Sequence, residues 1–232
     1  MVEEERDGRH SRWDDHREQR RRLILDAAIE VVEAQPSGAE LRLQDVAARA
    51  GLVRTVVQRH FGGQVGLLRA VQADVLRQAF ELITAPLDFS GSMHDIAAQV
   101  VGTTIAWVEA HPALHALVER EVGDRAPSEL ALATAAYADF LAAAGAQLAG
   151  LFDILLTQRQ ADELRLLFIG VVGQVRATIA GWAAEQPRRF PADHLQELLA
   201  TWVSVQVTTQ AASFGLALEP TTPIARLATA RD

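Results

Sequence analysis

Five clusters of breaking residues punctuate this chain: QPSG at 35–38, APLDFSG at 85–91, HP at 111–112, GDRAPS at 123–128 and QPRRFP at 186–191. Between them Ala and Leu dominate, and the two-residue alternation of a half-buried strand is scarce. The chain therefore has little from which to build a sheet. Pro86, Pro112, Pro127, Pro187 and Pro191 fall near helix ends or first turns, where a missing N–H costs little. The pattern predicts helices over 13–34, 43–50, 54–61, 64–85, 92–110, 113–122, 128–151, 159–185 and 192–216, an all-α fold.

At 232 residues the chain is long enough for a sizeable core without staples. It contains no Cys, which excludes disulfides, thiol catalysis and thiolate metal sites. All 22 basic residues are Arg, as in a GC-rich coding sequence. The net charge of −8 argues against a protein that coats nucleic acid indiscriminately, but it leaves room for a local basic face. Through residue 62 the charge is nearly balanced, 11 Arg against 12 acidic residues; beyond it 11 Arg face 18. The N-terminus is charged throughout, unlike a secretory signal. The most apolar stretch, residues 164–184, is interrupted by Gln174 and Arg176, short of an unbroken span of ~20 apolar residues. These features lead us to expect a soluble cytoplasmic protein.

The segment LQDVAARAGLVRTVVQRHF (43–61) reads as two short helices and a turn. Leu43, Val46, Ala47 and Ala50 share one face of the first. Gly51 supplies the positive φ that a tight inter-helix turn wants. In the second helix Val53, Val57 and Phe61 form the inward stripe, leaving Arg54, Thr55, Gln58 and Arg59 outward. This is the helix-turn-helix plan, in which the second helix offers its polar face to the major groove. Arginines fork onto guanine or phosphate, and glutamine pairs with adenine. Arg42 and His60 are phosphate candidates, as is Gln64 at a helix start behind two glycines. By spacing alone, a packed helix pair with polar edges fits as well.

The stretch from residue 20 to 71 resembles the N-terminal domain of the TetR family of transcriptional regulators. Ile24, Ala27, Ala28, Val46, Ala47, Ala50, Gly51, Arg59, His60, Phe61, Leu67 and Leu68 carry the resemblance, in the family's order and register. Several DNA-contacting positions depart from the family's pattern. Arg42 stands where a capping Thr is usual, and Val53 where a Ser caps the recognition helix, a loss of about 1 kcal/mol. Val56 and Gln58 replace a Thr and a Tyr, and Gln64 replaces a phosphate-binding Lys.

The resemblance implies a three-helix helix-turn-helix domain at 13–63, behind a flexible charged tail at 1–12. A larger helical ligand-binding and dimerisation domain would follow at 64–219, then a loose tail at 220–232. It implies a ligand-responsive regulator, most simply a repressor, bound as a homodimer to a palindromic operator and released by a small effector, with no cofactor. A second reading stays open: a helical dimer whose degenerate helix-turn-helix serves as a ligand- or protein-binding module.

For an effector site, Phe80, Met93, Trp107, Tyr137, Phe140 and Phe168 lie on separate helices from which an apolar pocket can be lined. Tyr137 adds a polar handle, and Arg176 is an isolated charge suited to an anionic group or an internal ion pair. Gly170, Gly173, Ala177 and Ala180 at 159–185, with Val203, Val207 and Ala211 at 192–216, suit close packing of a four-helix bundle with a second copy. His111, His115 and Glu119 recur every four residues, but Pro112 puts His111 out of helical register, so they read as surface residues. No hydrolase, nucleotide-binding or metalloprotease motif is present, so no enzyme and no metal site are expected.

Overall fold

The computed structural model describes residues 2–88, 90–122, 127–224 and 226, with side chains from residue 16 onward. All regular structure among the described residues is helical. The elements are α1 (Val2–Glu33), α2 (Leu43–Arg49), α3 (Arg54–Phe61), α4 (Gln64–Thr84), α5 (Met93–Ala110), α6 (Pro112–Val118), α7 (Glu129–Gly150), α8 (Gln158–Ala184) and α9 (Ala192–Ser213). The chain divides into two compact units, Met1–Leu76 with His111–Leu130, and Arg77–Ala110 with Ala131–Asp232.

In the first unit Ile24 and Ala28 of α1, Val46 and Ala47 of α2, Val57 of α3, and Leu67 and Val71 of α4 are all buried. Gly51 adopts φ 66°, so the chain leaves α2 in a left-handed turn that an L side chain would resist. The amide of Leu52 then closes onto the carbonyl of Ala47 at 2.8 Å. The segment expected as a tail at 1–12 continues α1, which is helical from residue 2.

The unit also takes in more than 13–63. The Gln72 amide donates to the carbonyls of Leu117 and Arg120, each at 2.8 Å, and Arg69 donates to Val122 O at 2.8 Å. These bonds tie α4 to the end of α6. The Gln72 bond also satisfies the Leu117 carbonyl at the end of α6, which stops at Val118 rather than 122.

In the second unit α5 packs along α9, with Val101, Ile105 and Val108 against Leu195, Leu199, Ile179 and Trp182. A second cluster joins Ala138 of α7 to Leu164 and Phe168 of α8 and Val207 of α9. α5 starts in a reciprocal cap, Ser92 N to Asp95 Oδ2 at 2.9 Å and Asp95 N to Ser92 Oγ at 3.1 Å. α8 starts in a capping box of Thr157 and Gln160. The segment expected to be loose after residue 219 is docked in its described part. Ile224 is buried and its amide donates to Gly91 O at 3.0 Å, while His94 N donates to Pro220 O at 2.9 Å. Residues 227–232, which that expectation also covered, lie outside the described residues.

α8 is long and apolar enough to cross a membrane by length and composition alone, with Gln174 and Arg176 interrupting it. Only 22% of its most apolar 18-residue window is buried within the chain.

Candidate functional site

α3 is a two-turn helix with no side-chain cap at its start, since Val53 holds the N-cap position in an extended conformation (φ −86°, ψ 146°). Its buried side is Val57 and Phe61, and Arg54, Thr55, Gln58 and Arg59 are exposed, as the 3.6-residue period dictates. Val53 departs from the expected inward stripe: it is 65% exposed. The extended backbone at the cap turns its side chain away from the helix's inner face, and an isopropyl group stands bare beside Arg54.

Arg42 is the N-cap residue of α2 and makes no side-chain cap; its guanidinium lies 3.4 Å from Glu40. The missing cap is supplied by Gln64. The Gln64 side-chain amide donates to the carbonyl of Leu41, and its oxygen accepts from the amide of Leu43 at 3.2 Å. Gln64, expected near phosphate, therefore has both ends of its side chain committed to the backbone that starts α2. Gly66, one turn into α4, sits so close to α3 that a Cβ there would fall 1.8 Å from the Phe61 carbonyl oxygen.

His60 is half-buried at the end of α3. Desolvation first, then the positive charges of Arg17, Arg20, Arg59 and Arg21, hold its imidazole below the ordinary value of 6.5. Arg21 lies over the Phe61 ring, 5.0 Å from its centroid. The arginines of α1 escaped the sequence reading, although their i, i+3, i+4 spacing ahead of Ile24 was visible.

In the second unit the expected effector residues separate. Phe80, Tyr137 and Phe140 come together: Tyr137 and Phe140 lie parallel with centroids 6.4 Å apart. Phe80 meets them edge-on at 5.4 and 5.6 Å. The Tyr137 hydroxyl is buried and makes no hydrogen bond among the described residues, and burial pushes its pKa up. Met93 and Phe168 belong instead to the core around Val207, and Trp107 packs against the α5–α9 core. Arg176 is half-buried on α8. His111 sits at the N-cap of α6 with its Nδ1 2.5 Å from Glu33, while His115 lies 3.9 Å from Glu119. Among the described residues no three His, Cys, Asp or Glu converge as a metal-ligand set.

Beyond their polar first turns, α8 and α9 expose several apolar or small residues. Leu166, Gly170, Ala177 and Gly181 are exposed along α8; Trp202, Val205 and Thr209 are exposed along α9. Val207, expected on that face, is buried in the chain's own core, so the outward stripe of α9 is rotated onto Trp202 and Val205.

No family model matches the chain. An uncharacterised helix-turn-helix transcriptional regulator of Mycobacterium tuberculosis is 28% identical over 110 residues, 45% of this chain and 46% of that protein. The chain thus spans about half the length of the curated relative it matches. A TetR-family regulator from Streptomyces coelicolor superposes with a TM-score of 0.64 at 18% identity, over 92% of this chain and 89% of that one. The fatty acid degradation regulator FadR from Bacillus halodurans gives 0.54 at 16% identity, over 78% and 96%. The transcriptional repressor QsdR of R. erythropolis, also of the TetR family, gives 0.50 at 18%, over 87% and 97%. The fold is that of TetR-family transcriptional regulators.

Proposed function

We propose that this chain is a DNA-binding transcriptional regulator of TetR type, a repressor that acts in the cytoplasm as a homodimer and is released by an apolar effector. The observation that carries the reading is α3: a short helix behind a left-handed glycine turn, with Arg54, Thr55, Gln58 and Arg59 exposed along one face. That face fits the major groove. Arg54 and Arg59 suit guanine or phosphate, Gln58 suits adenine, and bare Val53 suits a thymine methyl. Arg42 and His60 lie beside phosphates in this reading. Gln64 changes role and acts as the cap that fixes α2 beneath the recognition helix.

The effector site centres on Phe80, Tyr137 and Phe140. A buried donor without a partner costs roughly 1–3 kcal/mol, which a ligand acceptor reaching Tyr137 recovers. Phe80 lies on α4, the same helix that places Leu67 and Val71 in the core of the first unit. A ligand that repacks Phe80 therefore acts on α4, and favours the conformer whose recognition helices no longer fit successive grooves. Dimerisation through the bare faces of α8 and α9 would set two recognition helices about 34–36 Å apart, or further on a longer site.

The test is selection of bound duplexes from a random pool by the purified protein at two salt concentrations. The expected result is an enriched palindrome whose binding weakens steeply with salt. No enrichment, with or without cell extract as a source of effector, would point to the alternative of a binding module without an operator.

A further inference from the structure

α1 carries Arg17, Arg20 and Arg21 at i, i+3 and i+4, followed on the same face by Ile24 and Ala28, both 0% exposed. One helical face thus changes within two turns from core to arginine, and the arginine part runs beside the end of α3. The contact of Arg21 over the Phe61 ring places it there, and the lowered pKa of His60 agrees, with the charges of Arg17, Arg20, Arg59 and Arg21 among its causes after desolvation. Neighbouring arginines are neutralised, Arg22 by Asp26 and Asp74 and Arg49 by Glu30. Arg17, Arg20 and Arg59 have no ion-pair partner among the described residues. Glu18 is exposed on α1 and, three residues before Arg21, borders this face on the side away from Arg20. Arg17, Arg20 and Arg59 are all exposed, so their guanidinium groups are open to an anion from solvent.

We propose that Arg17 and Arg20 of α1, with Arg59 and His60 of α3, form one phosphate-binding surface that grips the DNA backbone beside the base-reading face of α3. This rests on the reading of α3 as a DNA-contacting helix and extends it to a helix outside the helix-turn-helix pair. Exposed arginines on a helix flank suit a backbone grip rather than base reading, because they fix position without carrying sequence information. The added grip stands in for contacts that Val53, Val56 and Gln64 do not make.

The test compares the full-length protein with R17Q/R20Q and R17K/R20K on two fluorescent 30-base-pair duplexes, the selected site and a scrambled sequence of equal length, across a salt series. Each lost phosphate contact lowers the slope of log affinity against log salt by ~0.9. The Gln pair should therefore lower the slope by about 2 and weaken both duplexes alike, leaving their affinity ratio unchanged. The Lys pair should restore the slope, which separates lost charge from a damaged fold. An unchanged slope in the Gln pair would overturn the proposal, as would a changed affinity ratio, which would assign these residues to base reading. If the unaltered protein binds neither duplex, the reading of α3 fails and this surface falls with it.

Discussion

At the scale of the residue, His60 and Tyr137 are both held in unfavourable surroundings, and each gives a measurable consequence. Desolvation and four arginines keep the native His60 pKa below 6.5, so the unfolded chain takes the proton more readily than the folded one. Stability is therefore fully present above about pH 6.5 and falls as the pH drops from there through the native pKa. Denaturant midpoints across that window should show a slope that His60→Asn flattens. Phosphate favours the protonated ring, so DNA affinity should rise from about pH 7.5 to about pH 6 in the native protein and less in the variant. For Tyr137 the expected outcome is the reverse of an ordinary buried-polar deletion. Tyr137→Phe removes a hydroxyl that has no partner among the described residues, so the unfolding free energy should stay level or rise by up to ~1 kcal/mol. A loss above about 1 kcal/mol in chemical denaturation would show that the hydroxyl is bonded after all. The exposure of Arg54, Thr55, Gln58 and Arg59 was legible from helical period alone. That of Val53 was not, because the period ceases to apply at an N-cap with extended backbone.

At the scale of the element, helix ends were legible wherever a local signal sets them, such as Gly51 after α2 or Pro112 opening α6. They were not where a distant side chain decides. Gln72 caps the end of α6 from 45 residues away, and Gln64 caps the start of α2 from more than 20. The replacements at 42 and 64, which looked like two separate losses of DNA contact, form one structural unit: Arg42 cannot cap α2 and Gln64 does. Gln64→Ala should accordingly destabilise the first unit by about 0.5–2 kcal/mol, the range for a lost N-cap, measured as a shift in denaturation midpoint. Were Gln64 a phosphate contact only, its removal would alter salt dependence and leave the midpoint in place. The α3–α4 junction is stricter. Gly66→Ala drives a methyl into the Phe61 carbonyl, and backbone cannot yield as a side-chain tip does. A cost at or above the upper end of ~1–3 kcal/mol should appear in thermal unfolding, together with lost DNA binding because α3 is displaced.

At the scale of the whole molecule, the all-α class was readable from breakers and composition, but the division into compact units was not. The second unit also leaves a debt that sequence indicated only in outline. Leu166 is 65% exposed on α8, and Trp202 40% and Val205 49% exposed on α9. Bare Leu166, Trp202 and Val205, with small residues beside them on α8, suit an interaction surface. In the proposed homodimer a second copy would cover them, two pairs of helices forming a four-helix bundle. Introducing a charge at both anchors, L166E/W202E, places four carboxylates in the shared face of each pair of chains. Sedimentation velocity should find the native protein as a two-chain species and the variant as single chains with unchanged helical circular dichroism. The single chains should retain weak, salt-sensitive binding to one half-site and lose the strong preference for the full palindrome. A variant that remains paired would move the interface elsewhere on the molecule, and a native protein that is single-chain at micromolar concentration would leave these residues to some other apolar partner.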